Sequence, residues 1–82
     1  MPISLPQIRA ARAMLELTLS DVTERTGISK GALSAIETGK ADPRLSTVEK
    51  LQALFEELGV EFLPATAEAG PGIRIKKRIT KE

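Results

Sequence analysis

The 82-residue chain contains no cysteine and no histidine. Disulfide staples, thiolate nucleophiles, Cys/His zinc sites and an imidazole base are therefore all excluded, and a reducing cytoplasm is the expected compartment. Aromatic residues are almost missing as well. Phe55 and Phe62 are the only two, and both fall in apolar stripes, which leaves no platform on which unpaired bases could stack. No uncharged apolar run approaches the roughly 18 residues that span a bilayer, and the opening MPISLPQIR lacks the long apolar segment of a secretory signal. A single domain this short buries proportionally little surface, so its core gives modest stability and a partner subunit would add to it.

Net charge is also low, at +1, but its distribution is uneven. Residues 1 to 63 carry seven Lys/Arg against nine Asp/Glu, a net of −2, while residues 64 to 82 carry five against two, a net of +3. The basic excess therefore lies in the C-terminal part, and 77 to 82, KRITKE, reads as a disordered basic tail.

What the chain does have is punctuation suited to short helices. Thr18 can cap a helix starting at Leu19, with Asp21 three residues on complementing the positive end of the helix dipole. Gly27 follows as a residue able to take positive φ, and Ser29 then caps a second helix over Lys30 to Glu37, ended by Gly39. Val22, Ile28, Leu33 and Ile36 fall on the inner side of the angle between the two helices. This is the pattern of a helix-turn-helix.

Before it, Leu5, Ile8, Ala11 and Leu15 recur at helical spacing, with Pro6 in a first turn. Arg9 and Arg12 lie on a face adjacent to that stripe, either reaching a DNA backbone or forming an ordinary solvated face. After it comes a connector, Thr38 to Pro43, and then a capping-box pattern at Ser46-Thr47-Val48-Glu49. A long helix follows, with Val48, Leu51, Leu54, Phe55 and Leu58 in its stripe and Gly59 at its end. Leu45 is placed in the core with them. Val60-Glu61-Phe62-Leu63 and Ile73-Arg74-Ile75-Lys76 alternate apolar with charged as half-buried strands do, joined by a turn-rich loop from Pro64 to Gly72. Those strands either pair with a second subunit to hide Val60, Phe62, Ile73 and Ile75, or fold back as a local hairpin.

Across IRAAR, LTLSDVTERTGISKGALSAIETGKADP and LSTVEKLQALFEELG the chain resembles the Cro/repressor-type helix-turn-helix regulators, also called the xenobiotic-response-element family. The resemblance implies an all-α, five-helix repressor-like domain over 1 to 58, with a C-terminal β-hairpin or dimerising strand pair over 59 to 76. It also implies double-stranded DNA as partner and no enzyme activity, cofactor or metal. By the same resemblance the second helix of the motif is the recognition helix, exposing Ser29, Lys30, Gly31, Ala32, Ser34, Ala35 and Thr38 to the duplex. Arg9, Arg12, Thr18, Lys40 and Arg44 complete the DNA-binding set. Relatives often carry Arg, Gln or Asn at several recognition positions, and a phosphate-binding Gln where this chain has Leu19.

Two functions follow. One is a homodimeric transcriptional repressor, or antitoxin-like autoregulator, on a palindromic operator. The alternative is a helix-turn-helix repurposed as a protein-binding antagonist of another regulator.

Overall fold

The computed structural model describes residues 3 to 76. Four helices, α1 (Leu5–Met14), α2 (Leu19–Thr26), α3 (Lys30–Glu37) and α4 (Leu45–Glu57), are followed by an antiparallel hairpin of β1 (Val60–Leu63) and β2 (Gly72–Ile75). The five-helix expectation is thus corrected to four. Thr38 to Arg44, the stretch between α3 and α4, holds Gly39 at φ 78° and Pro43, and its seven residues form a connector in place of a further helix. The expected tail over 77 to 82 lies outside the described residues.

Local chemistry explains the helix ends. In α2 the Thr18 hydroxyl accepts from the Asp21 amide at 3.0 Å and the Asp21 carboxylate accepts from the Thr18 amide at 2.8 Å, a reciprocal capping box. Gly27 closes that helix at φ 80°, in the left-handed region that glycine enters without steric cost. Ser29 then caps α3 by accepting from the Ala32 amide. At α4 the capping box expected over Ser46 to Glu49 does not form. The helix begins two residues earlier, at Leu45, because the Arg44 carbonyl already accepts from the Thr47 and Val48 amides; Arg44 is the N-cap and contributes no side-chain bond.

The core is one cluster to which all four helices and β1 contribute. Ile8 and Ala11 of α1, Val22 of α2, Leu33 and Ile36 of α3, Leu51, Leu54 and Phe55 of α4 and Val60 of β1 are buried together. Leu15, Ile28 and Leu58 are half-buried against this cluster. Leu45, in contrast, is 57% exposed. It continues the stripe of Val48, yet it stands in the first turn of α4, where no neighbouring element covers it.

The hairpin pairs Val60 with Ile75 and Phe62 with Ile73, which puts those four side chains on the face turned to the core. The alternate pair, Glu61 and Arg74, meets on the outer face in an exposed ion pair at 2.9 Å. Gln7 joins the hairpin to α1. Its side-chain oxygen accepts from the Ser4 amide, completing a capping box at the start of α1. Its amide nitrogen donates to the carbonyls of Leu63 at 3.2 Å and Gly72 at 2.8 Å, at the two ends flanking the hairpin loop. β2 starts at Gly72, one residue before the expected boundary. No helix among the described residues is long and apolar enough to cross a membrane.

Candidate nucleic-acid interface

α3 is held by its inner face and left bare on its outer one. Leu33, Ile36 and Glu37 are buried. At a period of 3.6 residues, Gly31, Ser34, Ala35 and Thr38 form a stripe on another side, of which Gly31, Ser34 and Thr38 are exposed and Ala35 is half-buried. Ser29, Lys30 and Ala32 are exposed beside them at the helix start. Two of the hydroxyls also serve the helix: Ser29 accepts from the Ala32 amide, and Thr38 donates to the Ser34 carbonyl at 2.8 Å. Each keeps hydrogen-bonding capacity for an outside group. Lys30 and Ser34 make no side-chain hydrogen bond among the described residues.

Cationic groups flank this helix at both ends. Lys30 stands at its first residue, and Lys40 and Arg44 bracket the connector that follows it, roughly 12 Å further along for an eight-residue helix. All three are exposed and unpaired with any carboxylate among the described residues. Thr18 is exposed at the start of α2, with Leu19 half-buried next to it.

The two arginines of α1 point to a different task. Arg12 donates from Nε and Nη2 to the two carboxylate oxygens of Glu37, both at 2.7 Å, and from Nη1 to the Leu17 carbonyl at 2.9 Å. Hydrogen bonding to Glu37 raises the guanidinium pKa above its ordinary value, against the opposing effect of burial. Arg9 donates from Nη1 to the main-chain carbonyl of Glu37. Both arginines therefore grip the last residue of α3, and they set its angle to α1. The sequence spacing left Arg9 and Arg12 open between a DNA backbone and a solvated face; Arg9 stays exposed, and neither alternative included the ion pair of Arg12 with the buried Glu37. One signal for it was available: Glu37 lies four residues after Leu33 on the apolar side of α3, where a carboxylate needs a partner.

The strand residues offered for dimerisation are similarly engaged. Val60 is fully buried within the chain, and Phe62, Ile73 and Ile75 are half-buried against the same core. Their apolar surface is partly covered without a second subunit. Near the end of β2, Met14, Leu15, Leu58 and Ile75 line a shallow hollow, with Met14 49% exposed.

The family model for the helix-turn-helix matches residues 8 to 63, most of the chain and all of α2 and α3. The chain belongs to the helix-turn-helix family of Cro/repressor-type transcriptional regulators. This is a DNA-binding regulatory family and not an enzymatic one. Neither a curated protein nor a solved structure gives a match.

Proposed function

We propose that the protein is a sequence-specific double-stranded-DNA-binding regulator, a repressor or antitoxin-like autoregulator, that acts as a homodimer on a palindromic operator. The observation that carries this reading is the division of α3: its inner residues are locked to α1 and the core, while its outer stripe is unfilled and flanked by three unpaired cations. A rigidly held helix with a free outer face suits the major groove. In this reading Lys30 bonds a guanine edge or a phosphate, Ser29 and Ser34 bond either, and Lys40 and Arg44 hold phosphates. Thr18 adds a hydroxyl at the backbone beside the start of α2. Two such helices, related by the dimer twofold, enter successive grooves about 34 Å apart.

Arg9 and Arg12 have a supporting part here, as residues that position α3. The ion pair of Arg12 with Glu37 also removes one cation from the free count, and this favours a second reading. Residues 1 to 63, at net charge −2 and with Leu19 at the usual phosphate-binding place, have little with which to hold a duplex, so an antagonist that grips another regulator is the alternative.

Selection from a random duplex pool at low salt tests the choice. The repressor reading expects enrichment of a palindrome with half-sites about 10 base pairs apart. On that site Lys40→Ala and Arg44→Ala should each flatten the plot of log affinity against log salt by about one unit. A wild-type chain that retains no duplex, yet binds a second regulator through Leu19 and Ala35, would overturn it in favour of the antagonist.

A further inference from the structure

β2 has one edge without a neighbouring strand among the described residues. The Lys76 amide donates to the Gly59 carbonyl, so in the register that pairs Val60 with Ile75 and Phe62 with Ile73, the main-chain groups of Gly72 and Arg74 also turn towards β1. Those of Ile73 and Ile75 turn away from it, and they have no hydrogen-bond partner among the described residues. Native sheets blunt such an edge with a proline, a bulge or an inward-pointing charge. Gly72 to Ile75 has none of these: the register is regular, Ile73 and Ile75 pack inward, and Arg74 is turned out to Glu61.

Alongside runs an apolar stripe of α1. Pro6, Ala10 and Met14 lie four residues apart on one side of the helix, and each is exposed or half-buried. Pro6 and Ala10 line a hollow with Pro71 and Ile73, while Met14 lines the second hollow with Ile75. No residue of β1 lines either one, so both belong to the β2 side of the hairpin. The start of α1 lies by the start of β2 and its end by the end of β2, so helix and strand run the same way.

We propose that this surface is the dimer interface: β2 of a second copy pairs antiparallel with β2 about a twofold axis at Arg74, giving a four-stranded sheet with the two α1 stripes beneath it. This rests on the homodimer part of the reading above. Self-complementarity and charge select a second copy as the occupant. About that axis Ile73 and the partner's Ile75 exchange both main-chain bonds, as do Ile75 and the partner's Ile73, so the free groups of one edge satisfy those of the other. The partner's isoleucines point inward over the two hollows, which call for apolar side chains at alternate positions of an incoming strand. On the outer face the row reads Glu61, Arg74, Arg74, Glu61. Each guanidinium is bonded to the carboxylate of its own chain at 2.9 Å, so the row is neutral and the arginines can stand side by side. The partner's α1 runs the opposite way along the same stripe, where the small Ala10 lets the two helices come close.

Because the chain has no cysteine, a single introduced one reports the register. Arg74 faces its own symmetry mate as a non-hydrogen-bonded pair, with Cα atoms about 4.5 Å apart, within the span that a disulfide bridges. Under mild oxidation Arg74→Cys should form a covalent dimer about tenfold or more faster than Glu68→Cys, whose cysteine stands in the exposed hairpin loop. Met14→Glu, a change at an exposed position of the stripe, should raise the dimer dissociation constant about tenfold or more in sedimentation equilibrium, with the circular dichroism of the wild type retained. If the wild type dimerises but Arg74→Cys crosslinks no faster than Glu68→Cys, the inference is overturned and the homodimer reading stands on another surface. A dimer that folded Met14→Glu leaves intact would overturn it too. Should Met14→Glu unfold the chain, the pair of cysteine variants decides alone. If the wild type is a monomer at every concentration, the homodimer reading has failed and this inference goes with it.

Discussion

Replacing Arg12 by methionine removes both donors from the Glu37 carboxylate, whose side chain is only 7% exposed. The carboxylate would stay in place with no other side-chain donor among those described, and stranding one member of a buried pair costs about 3–5 kcal/mol. Arg12 is 24% exposed, so water can reach one edge of the pair, which places the expected cost near the lower end, at about 3 kcal/mol. For a chain of this length that corresponds to a midpoint lower by about 12–24 °C. Glu37→Leu should cost less, about 1–2 kcal/mol, because the guanidinium it leaves behind can turn towards solvent and keeps the Leu17 carbonyl. The double variant, with two apolar side chains facing each other, should return to within about 1 kcal/mol of wild type. With neither tryptophan nor tyrosine in the chain, urea unfolding is best followed by far-ultraviolet circular dichroism. A cost below about 1 kcal/mol for Arg12→Met, or single effects that simply add in the double variant, would refute the account of how α1 fixes α3.

Three further perturbations probe separate features. Glu16 occupies the left-handed position after α1, at φ 58°, with its amide bonded to the Ala13 carbonyl and the Leu17 amide to that of Arg12; Gly39 holds the equivalent place after α3. Glu16→Gly should therefore raise stability by up to about 1 kcal/mol, and a loss of stability would count against strain at that residue. Leu33→Ala, at a fully buried site, should cost about 2–5 kcal/mol, whereas Leu45→Ala should cost well under 1; similar melting of the two would contradict the placement of the core. The Asp21 carboxylate is held below its ordinary pKa, mainly by the Thr18 amide and then by its hydroxyl. Its folded-state value lies under its unfolded one, so its contribution is complete above the ordinary carboxylate range and is lost as pH falls through the folded value. Asp21→Asn should accordingly make stability fall less steeply on acidification, and an unchanged acid limb would show that the cap is not titrating.

Legibility in the sequence followed distance along the chain. Thr18, Gly27 and Ser29 act within three or four residues, so their residue types alone marked the ends of α2 and α3, and the alternation over 60 to 63 marked β1. The bonds that set the site's geometry span much more. Arg12 meets Glu37 across 25 residues, and Gln7 meets Leu63 and Gly72 across 56 and 65. No local pattern encodes such pairings, although Ser4-Leu5-Pro6-Gln7 carries the capping-box signature that would have drawn attention to Gln7. The fifth helix came from the family resemblance, and Gly39 with Pro43 in a seven-residue connector decides against it. Leu45 misled for a related reason: periodicity says which side of a helix a residue occupies, not whether a neighbour extends far enough to cover it.

The double grip of Gln7 also bears on how the chain is made. Its two acceptor carbonyls belong to Leu63 and Gly72, so during synthesis α1 waits for partners made 56 and 65 residues after Gln7. At roughly 5–20 residues per second that interval lasts several seconds, far longer than a helix needs to form. During it the face of α1 that meets β2 stands uncovered, a target for holdase chaperones. α2 and α3, whose caps are local, can assemble meanwhile. The nascent chain would thus own the α2–α3 pair before it owns the clasp that joins α1 to the hairpin, and a product cut short before Gly72 would leave that face of α1 uncovered.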